Sequence, residues 1–182
     1  DFTPFEASLG SITGFAYAGG LASELAAGTI EPAEALDLLD DMLAIRELEE
    51  MIVRLRSGGY DPLPGYDYRG PTHVSVGQEG TAAGACCALE LRDNITSTHR
   101  GHGHLIAKVG DLGKMAAEIF FKETGYNKGY GGSMHITDMS KGIMGMNGIV
   151  GASYYMAAGA AIRAQVRGTK QVAVAFFGDG AA

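Results

Sequence analysis

Four groups of residues have the types and spacing to do chemistry. The first is Thr98-His99-Arg100-Gly101-His102-Gly103-His104, directly after a short strand-like segment. An arginine and a histidine at a strand's end, set among glycines, suit a phosphate, because the guanidinium offers fixed donors and glycine lets the backbone come close. Its histidines, with His135 further on, also admit a zinc site or a hydrogen-bonded polar loop, and the spacing alone leaves these open. The second group is Gly178-Asp179-Gly180 after an apolar run. A carboxylate held there can face a divalent cation that bridges diphosphate oxygens, although Asp-Gly after a strand is more often a plain turn. The third is the glycine-rich stretch 125–151, too long for an ordinary connection and too rich in glycine for a packed layer. It reads as an active-site loop or interface segment in which His135 either faces substrate or makes a structural hydrogen bond. The fourth is Pro71 to Glu79, where a loop enters a helix. His73 there suits an acid, a base or a neutral donor near the positive helix end, or a simple cap, and Gln78 and Glu79 fall in the first turn.

These groups need strands and helices to position them. Leu36, Leu39, Leu43, Leu48, Ile52 and Leu55 recur at helical steps in a segment that starts near Thr29. Acids come early (Glu31, Glu34, Asp37), Arg54 and Arg56 come late, and Ser57-Gly58-Gly59 closes the pattern, which suits the helix dipole. Tyr60 to Pro71 reads as loop, Gly77 to Leu91 as a helix of small residues and Asn94 to Thr98 as a short strand. Asp111 is placed to cap a helix reaching Thr124, with Met115, Ile119 and Phe120 on its apolar face. Helix resumes over roughly 153–167, and Gln171 to Phe177 is an apolar run of the fully buried, parallel-strand kind. Alternating helix and buried strand predicts an α/β fold. Residues 1–28, with Phe2, Phe5, Phe15 and Tyr17, show no clean period and read as an arm packing on a neighbour.

Composition narrows the function classes. The chain has 182 residues, a formal charge of −7 and 28 glycines. Glycine at about twice its usual share, without a collagen period, points to loops built for close backbone approach. No apolar run approaches the roughly 18–20 residues of a membrane helix. The acidic balance argues against general affinity for nucleic acid or anionic membrane. Cys86 and Cys87 are adjacent, where a bridge is geometrically awkward, so a disulfide framework is not expected and a reducing compartment is. The chain starts at Asp1 and stops at Ala182, just past a strand whose turn should lead to a covering helix, so a piece of a longer protein is expected.

The order of the motifs is more specific than any one of them. Met42 to Glu50, His73 through Gly77-Gln78-Glu79, Ser97 to His104, Lys128 to His135, Asn147 to Gly151 and Gly178 to Ala182 together resemble the alpha subunit of thiamine-diphosphate-dependent E1 components. That family includes the pyruvate, branched-chain 2-oxo acid and acetoin dehydrogenases. The resemblance covers residues 33–182 and leaves 1–32 as an N-terminal arm. It implies an α/β thiamine-diphosphate-binding fold, a parallel sheet flanked by helices, incomplete at the C-terminus.

On this chain the resemblance implies that His99, where many relatives have Tyr, and Arg100 contact the diphosphate. Asp179 would be the Mg²⁺ ligand, with Gly180 and Ala181 near the diphosphate. Gly148, Ile149 and Val150 would meet the aminopyrimidine, His73 would sit by the thiazolium, and Ser133 and His135 would lie near the entrance. Thus His73 and His135 are the expected catalytic residues. The family motif continues downstream to an Asn that completes the Mg²⁺ shell, and the glutamate that activates the cofactor comes from the beta subunit. The implied assembly is an alpha2beta2 heterotetramer with the E1 beta subunit, passing an acyl group to a lipoyl-bearing E2 acyltransferase. This chain alone would be inactive. Acetoin is the favoured substrate, with pyruvate and other 2-oxo acids next, in a bacterial cytoplasm or, for a eukaryote, the mitochondrial matrix. A transketolase-like enzyme and a non-catalytic α/β partner subunit are the alternatives.

Overall fold

The computed structural model describes residues 8–9, 12–13, 17–57, 70–108 and 110–182. The loop expected over Tyr60–Pro71 lies almost wholly outside them, as do Phe2, Phe5 and Phe15. Residues 1–39 and 40–182 form two compact units.

In the first unit, β1 (Ser8–Leu9) and β2 (Ile12–Thr13) pair antiparallel. Helix α1 (Leu21–Ala27) starts where the Ser23 hydroxyl accepts from the Gly20 N–H at 2.8 Å and ends on Gly28, left-handed with φ 67°. None of its side chains is buried, so its sequence carries no apolar period. Helix α2 (Pro32–Ser57) begins at a proline, with the Glu34 carboxylate accepting from the Glu31 N–H at 2.8 Å.

The second unit is built on a three-stranded parallel sheet in the order β4-β3-β5. Strand β3 (Asn94–Thr98) is central, between β4 (Ile143–Asn147) and β5 (Ala173–Ala175). Helices α3 (Glu79–Cys86), α4 (His102–Ala107), α5 (Leu112–Ile119) and α6 (Ala152–Val166) complete the α/β architecture. Ile45, Leu48 and Ile52 of α2 pack with Ala82 and Cys86 of α3, Leu105 of α4, Met115 and Ile119 of α5, and Ile95, Ile143 and Phe176. Each fully enclosed isoleucine or leucine among them stabilises the fold by about 1.5–3 kcal/mol. Helix α6 buries Ala157, Ala160 and Ala164, small residues that let it lie close to the strands, and Thr96 donates to the Ser153 carbonyl at 2.9 Å. Cys86 is buried, Cys87 is exposed, and both are free thiols. No described helix is long and apolar enough to cross a membrane.

Several elements differ from the sequence-based expectation. Helix α3 stops at Cys86 rather than Leu91, because Asp93 accepts from the Glu90 N–H at 2.8 Å and folds the following residues into turns. Helix α5 stops at Ile119 rather than Thr124, and Phe121 takes a left-handed φ of 56°. The stretch 125–151 is not loop throughout: residues 143–147 form β4, whose Ile143 and Met146 enter the core. Among the described residues β5 pairs with β3 alone, and Val172 and Phe177 beside it are about half exposed, where a fully buried run was expected.

One carboxylate explains much of the glycine. Glu118 on α5 is fully buried and accepts four backbone N–H groups: Asn127 at 2.6 Å, Gly129 at 2.9 Å, Gly131 at 2.6 Å and Gly132 at 3.2 Å. A Cβ at Gly125 would lie 2.5 Å from its Oε2, and Gly129 has φ +80°, so both positions demand glycine. These glycines were expected to admit a cofactor or substrate; they admit a buried side chain instead.

His104 is a second buried polar group. Its ring stacks on Phe176 with centroids 3.7 Å apart, and its Nδ1 lies 2.7 Å from the Ser97 hydroxyl. Burial pushes its pKa down to about 4 from an ordinary 6.5.

Two outcomes follow for stability. Glu118→Gln replaces an acceptor with a donor against two backbone N–H groups, and should lower the urea unfolding free energy by about 3 kcal/mol while exposing the 127–132 amides to hydrogen exchange. For His104, the unfolded chain takes up a proton between the ordinary pKa and about 4 that the folded chain does not. Stability from this group is therefore present above that window and lost as pH falls through it. Between pH 7 and pH 5 the natural chain should lose about 2 kcal/mol more than His104→Phe, read from urea midpoints at the two pH values.

Candidate active site

The loops that follow all three strands of the sheet meet at their C-terminal ends, the side on which open parallel sheets bind ligands. They enclose a cleft of about 370 Å³. The β3 loop contributes Thr98, His99 and Arg100, the β4 loop Val150 and Gly151, and the β5 loop Phe176 through Ala181, with Gln78 and Thr81 from the start of α3 and His104 from α4.

Arg100 is aimed by its own surroundings. The Thr98 hydroxyl accepts from the Arg100 N–H at 3.2 Å, and the guanidinium Nη1 donates to the Val74 carbonyl. That leaves most of its donor fork for a ligand. His99 meets His73 edge to face, with centroids 4.9 Å apart. Burial, with the neighbouring His73 and Arg100, holds the His99 pKa below its ordinary value, so the ring is neutral at neutral pH and still offers one N–H. Asp179 opens a single 3₁₀ turn, Asp179–Ala181, and its carboxylate is exposed at the cleft.

The structure thus gathers His99, Arg100, Val150, Asp179, Gly180 and Ala181 around one cleft. Gly148 and Ile149 are exposed on the same loop as Val150 but do not line it, and the Asn147 side chain holds that loop by accepting from the Ile149 N–H at 2.8 Å. His73 stands behind His99 rather than on the wall. His135 is exposed, its ring beside Gly148. Ser133 is buried beneath both histidine segments, its hydroxyl accepting from the His73 N–H at 3.4 Å.

The three imidazoles of the first motif do not converge on a metal. His99 turns to His73, His102 into the interior against Glu49, and His104 onto Phe176. Among the described residues no three His, Cys, Asp or Glu side chains form a metal cluster, which leaves the zinc alternative without a ligand set. The cleft does fit a diphosphate. It carries a fixed guanidinium, a neutral imidazole, and a turn at which a Cβ on Gly178 or Gly180 would meet nothing within 4 Å, so the backbone there is open to a ligand. A lone carboxylate is poor as a dedicated cage but suits Mg²⁺, which commonly takes one or two carboxylates together with phosphate oxygens and water.

Sequence reasoning gave no role to several residues that support the cleft, and read Glu79 only as a first-turn carboxylate. Glu49 falls in helical phase with Ile45, Leu48 and Ile52, so the periodicity of α2 already placed a carboxylate on the buried face. Glu79 is nearly buried, accepts from Arg46 at 2.7 Å and from the Gly77 N–H at 2.9 Å, and Arg46 holds its pKa down to about 2. No local signal marks Phe176 as the floor on which His104 stacks.

Comparison with known proteins shows the family. The alpha subunit of acetoin:2,6-dichlorophenolindophenol oxidoreductase from Bacillus subtilis (strain 168) is 50% identical over 148 residues, covering 81% of this chain and 42% of that protein. The subunit of the same name from Cupriavidus necator is 43% identical over 157 residues, covering 86% of this chain and 45% of the relative. The pyruvate dehydrogenase E1 component subunit alpha of Rhizobium meliloti is 35% identical over 162 residues, covering 87% and 44%. The chain therefore spans less than half the length of these relatives. A family model described as dehydrogenase E1 component matches residues 66–182, well over half of the chain and including every residue around the cleft, and the chain belongs to that family.

Proposed function

We propose that this chain is the diphosphate-binding part of the alpha subunit of a thiamine-diphosphate-dependent oxidoreductase that acts on acetoin, with pyruvate as the next substrate. The observation that carries the reading is the convergence of Arg100, His99 and the Asp179 turn on one cleft at the ends of the parallel strands. Acetoin ranks first because the relatives named for it share 50% and 43% identity, against 35% for the pyruvate dehydrogenase subunit. The same relatives favour an E1 subunit over a transketolase-like enzyme or a non-catalytic partner.

In this reading Arg100 and His99 bind the diphosphate, one with a fixed cationic fork and the other with a neutral donor that adds no competing charge. Asp179 holds Mg²⁺, and Gly180 and Ala181 present turn backbone to the phosphates. Gly148, Ile149 and Val150 present backbone to the aminopyrimidine. When bound, thiamine diphosphate supplies an electron sink for breaking the bond beside a carbonyl carbon. His73 and His135 then hold or move a proton at the substrate's oxygen, and the stacked, buried ring of His104 keeps water from the cleft floor. An E1 beta subunit completes the site in an alpha2beta2 heterotetramer, and an E2 lipoyl group accepts the acyl product. The relatives come from bacteria and, as a mitochondrial pyruvate dehydrogenase subunit, from Chaetomium thermophilum, which supports a bacterial cytoplasm or a mitochondrial matrix as the setting.

Calorimetry of the full-length alpha subunit assembled with its beta partner tests the reading. Thiamine diphosphate should bind with Mg²⁺, Arg100→Ala should weaken it by about 10- to 100-fold, and Asp179→Ala should remove the Mg²⁺ dependence. No binding at millimolar cofactor would sink the proposal, and acyl transfer to lipoamide with acetoin as donor would establish the reaction class.

A further inference from the structure

A buried polar relay runs from α2 to the segment that carries His73. Glu49 and His102 are both fully shut off from solvent, deep among Ile45, Ile52 and Leu105. Glu49 Oε1 takes two partners: the Ser75 hydroxyl donates to it at 3.0 Å, and His102 Nδ1 lies 2.8 Å away. On the other side of the ring, His102 Nε2 lies 3.0 Å from the Ser133 carbonyl oxygen and 3.0 Å from the Ser133 hydroxyl. A carbonyl only accepts, so where Nε2 bonds the Ser133 carbonyl it does so as the donor. The Ser133 hydroxyl accepts in turn from the His73 N–H at 3.4 Å.

The consequence lies in three consecutive residues. His73 is tied through its N–H to Ser133, Val74 through its carbonyl to Arg100, and Ser75 through its hydroxyl to Glu49. Two of these ties end on the Glu49–His102 pair, and the third on a guanidinium that lines the cleft. A polar pair in the core is costly to hold, and Glu49 Oε2 is buried there without a hydrogen-bond partner among the described residues. A hydrophobic pair would pack the same space at lower cost, but it would take Glu49 from the Ser75 hydroxyl and His102 from Ser133 and leave the His73 segment loose.

We propose that Glu49 and His102 are positioning residues that fix His73 against His99 and the cleft by holding Ser75 and Ser133. The inference rests on the catalytic role given to His73 above. It predicts a larger effect on turnover through His73 than on cofactor affinity.

The test uses the full-length alpha subunit with its beta partner. Glu49→Leu cuts both bonds at Oε1, whereas Glu49→Gln keeps an acceptor oxygen there. In the cofactor-free assembly, Glu49→Leu should speed amide hydrogen exchange in the peptides covering 73–76 and 133–135 by about tenfold or more, leaving α6 unchanged, and Glu49→Gln should restore most of the protection. In the loaded enzyme, Glu49→Leu should lower kcat by about tenfold or more with the cofactor Kd within about threefold, and should add almost nothing on a His73→Ala background. Should Glu49→Leu fail to assemble, Ser75→Ala, which removes a single tie, is held to the same criteria. Exchange that rises equally in α6, or a kcat loss that multiplies with that of His73→Ala, overturns the proposal in favour of a merely structural pair. The exchange measurement does not depend on turnover, so an assembly that never binds thiamine diphosphate defeats the functional reading and leaves the relay's hold on 73–75 to be judged separately.

Discussion

A carboxylate taken out of water must be met by donors, and this constraint organises the second unit of the chain. Three glutamates, each on a different helix, turn inward, and each stitches its helix to a segment near the cleft. Glu118 of α5 gathers the 127–132 backbone, Glu79 of α3 binds Arg46 and the Gly77 N–H, and Glu49 of α2 binds His102 and Ser75. Apolar packing can hold helices against a sheet, but it is non-directional and does not set the path of a loop. Directional bonds from buried acids do, which is why the segments bearing His73 and Ser133 have defined paths although neither belongs to a helix or strand.

The cleft depends on the same arrangement. Arg100 is the junction, since its backbone is held by Thr98 at the end of the central strand and its side chain holds Val74. The sheet supplies the rigid edge from which the three post-strand loops depart, and the buried acids fix what approaches that edge from the sides. The His104 ring, pressed on Phe176, seals the floor between the β3 and β5 loops. Asp179, the His99–Arg100 pair and His73 are thereby brought close together by elements that are far apart along the chain.

Much of the cleft was legible in the sequence because its groups sit at strand ends, where short glycine-containing turns carry their chemistry in a few adjacent residues. His99-Arg100 and Gly178-Asp179-Gly180 are such cases, and the structure sets them around one cleft. The glycine excess was legible as a demand for close approach but not as to what approaches. Around 125–132 the answer is the Glu118 side chain, a partner supplied by a neighbouring helix. The ends of α3 and α5 were misjudged for a similar reason: Asp93 and the left-handed Phe121 stop helices whose composition would let them continue.

By itself the sequence determined the α/β class, the long helix through Ile45 and Ile52, the central strand Asn94–Thr98, and the motif order that marks the family. These rest on local periodicity and on the chemistry of adjacent residues, both of which survive without knowledge of the fold. Only the tertiary structure decided that residues 143–147 form a strand, that Ala173–Ala175 pairs with Asn94–Thr96, and that Glu49, His102, Ser75 and Ser133 form one relay. Those facts depend on contacts between segments distant in sequence. A hydrogen bond between Glu49 and His102 is a property of where two helices meet, and no window along the chain contains both partners and the space between them.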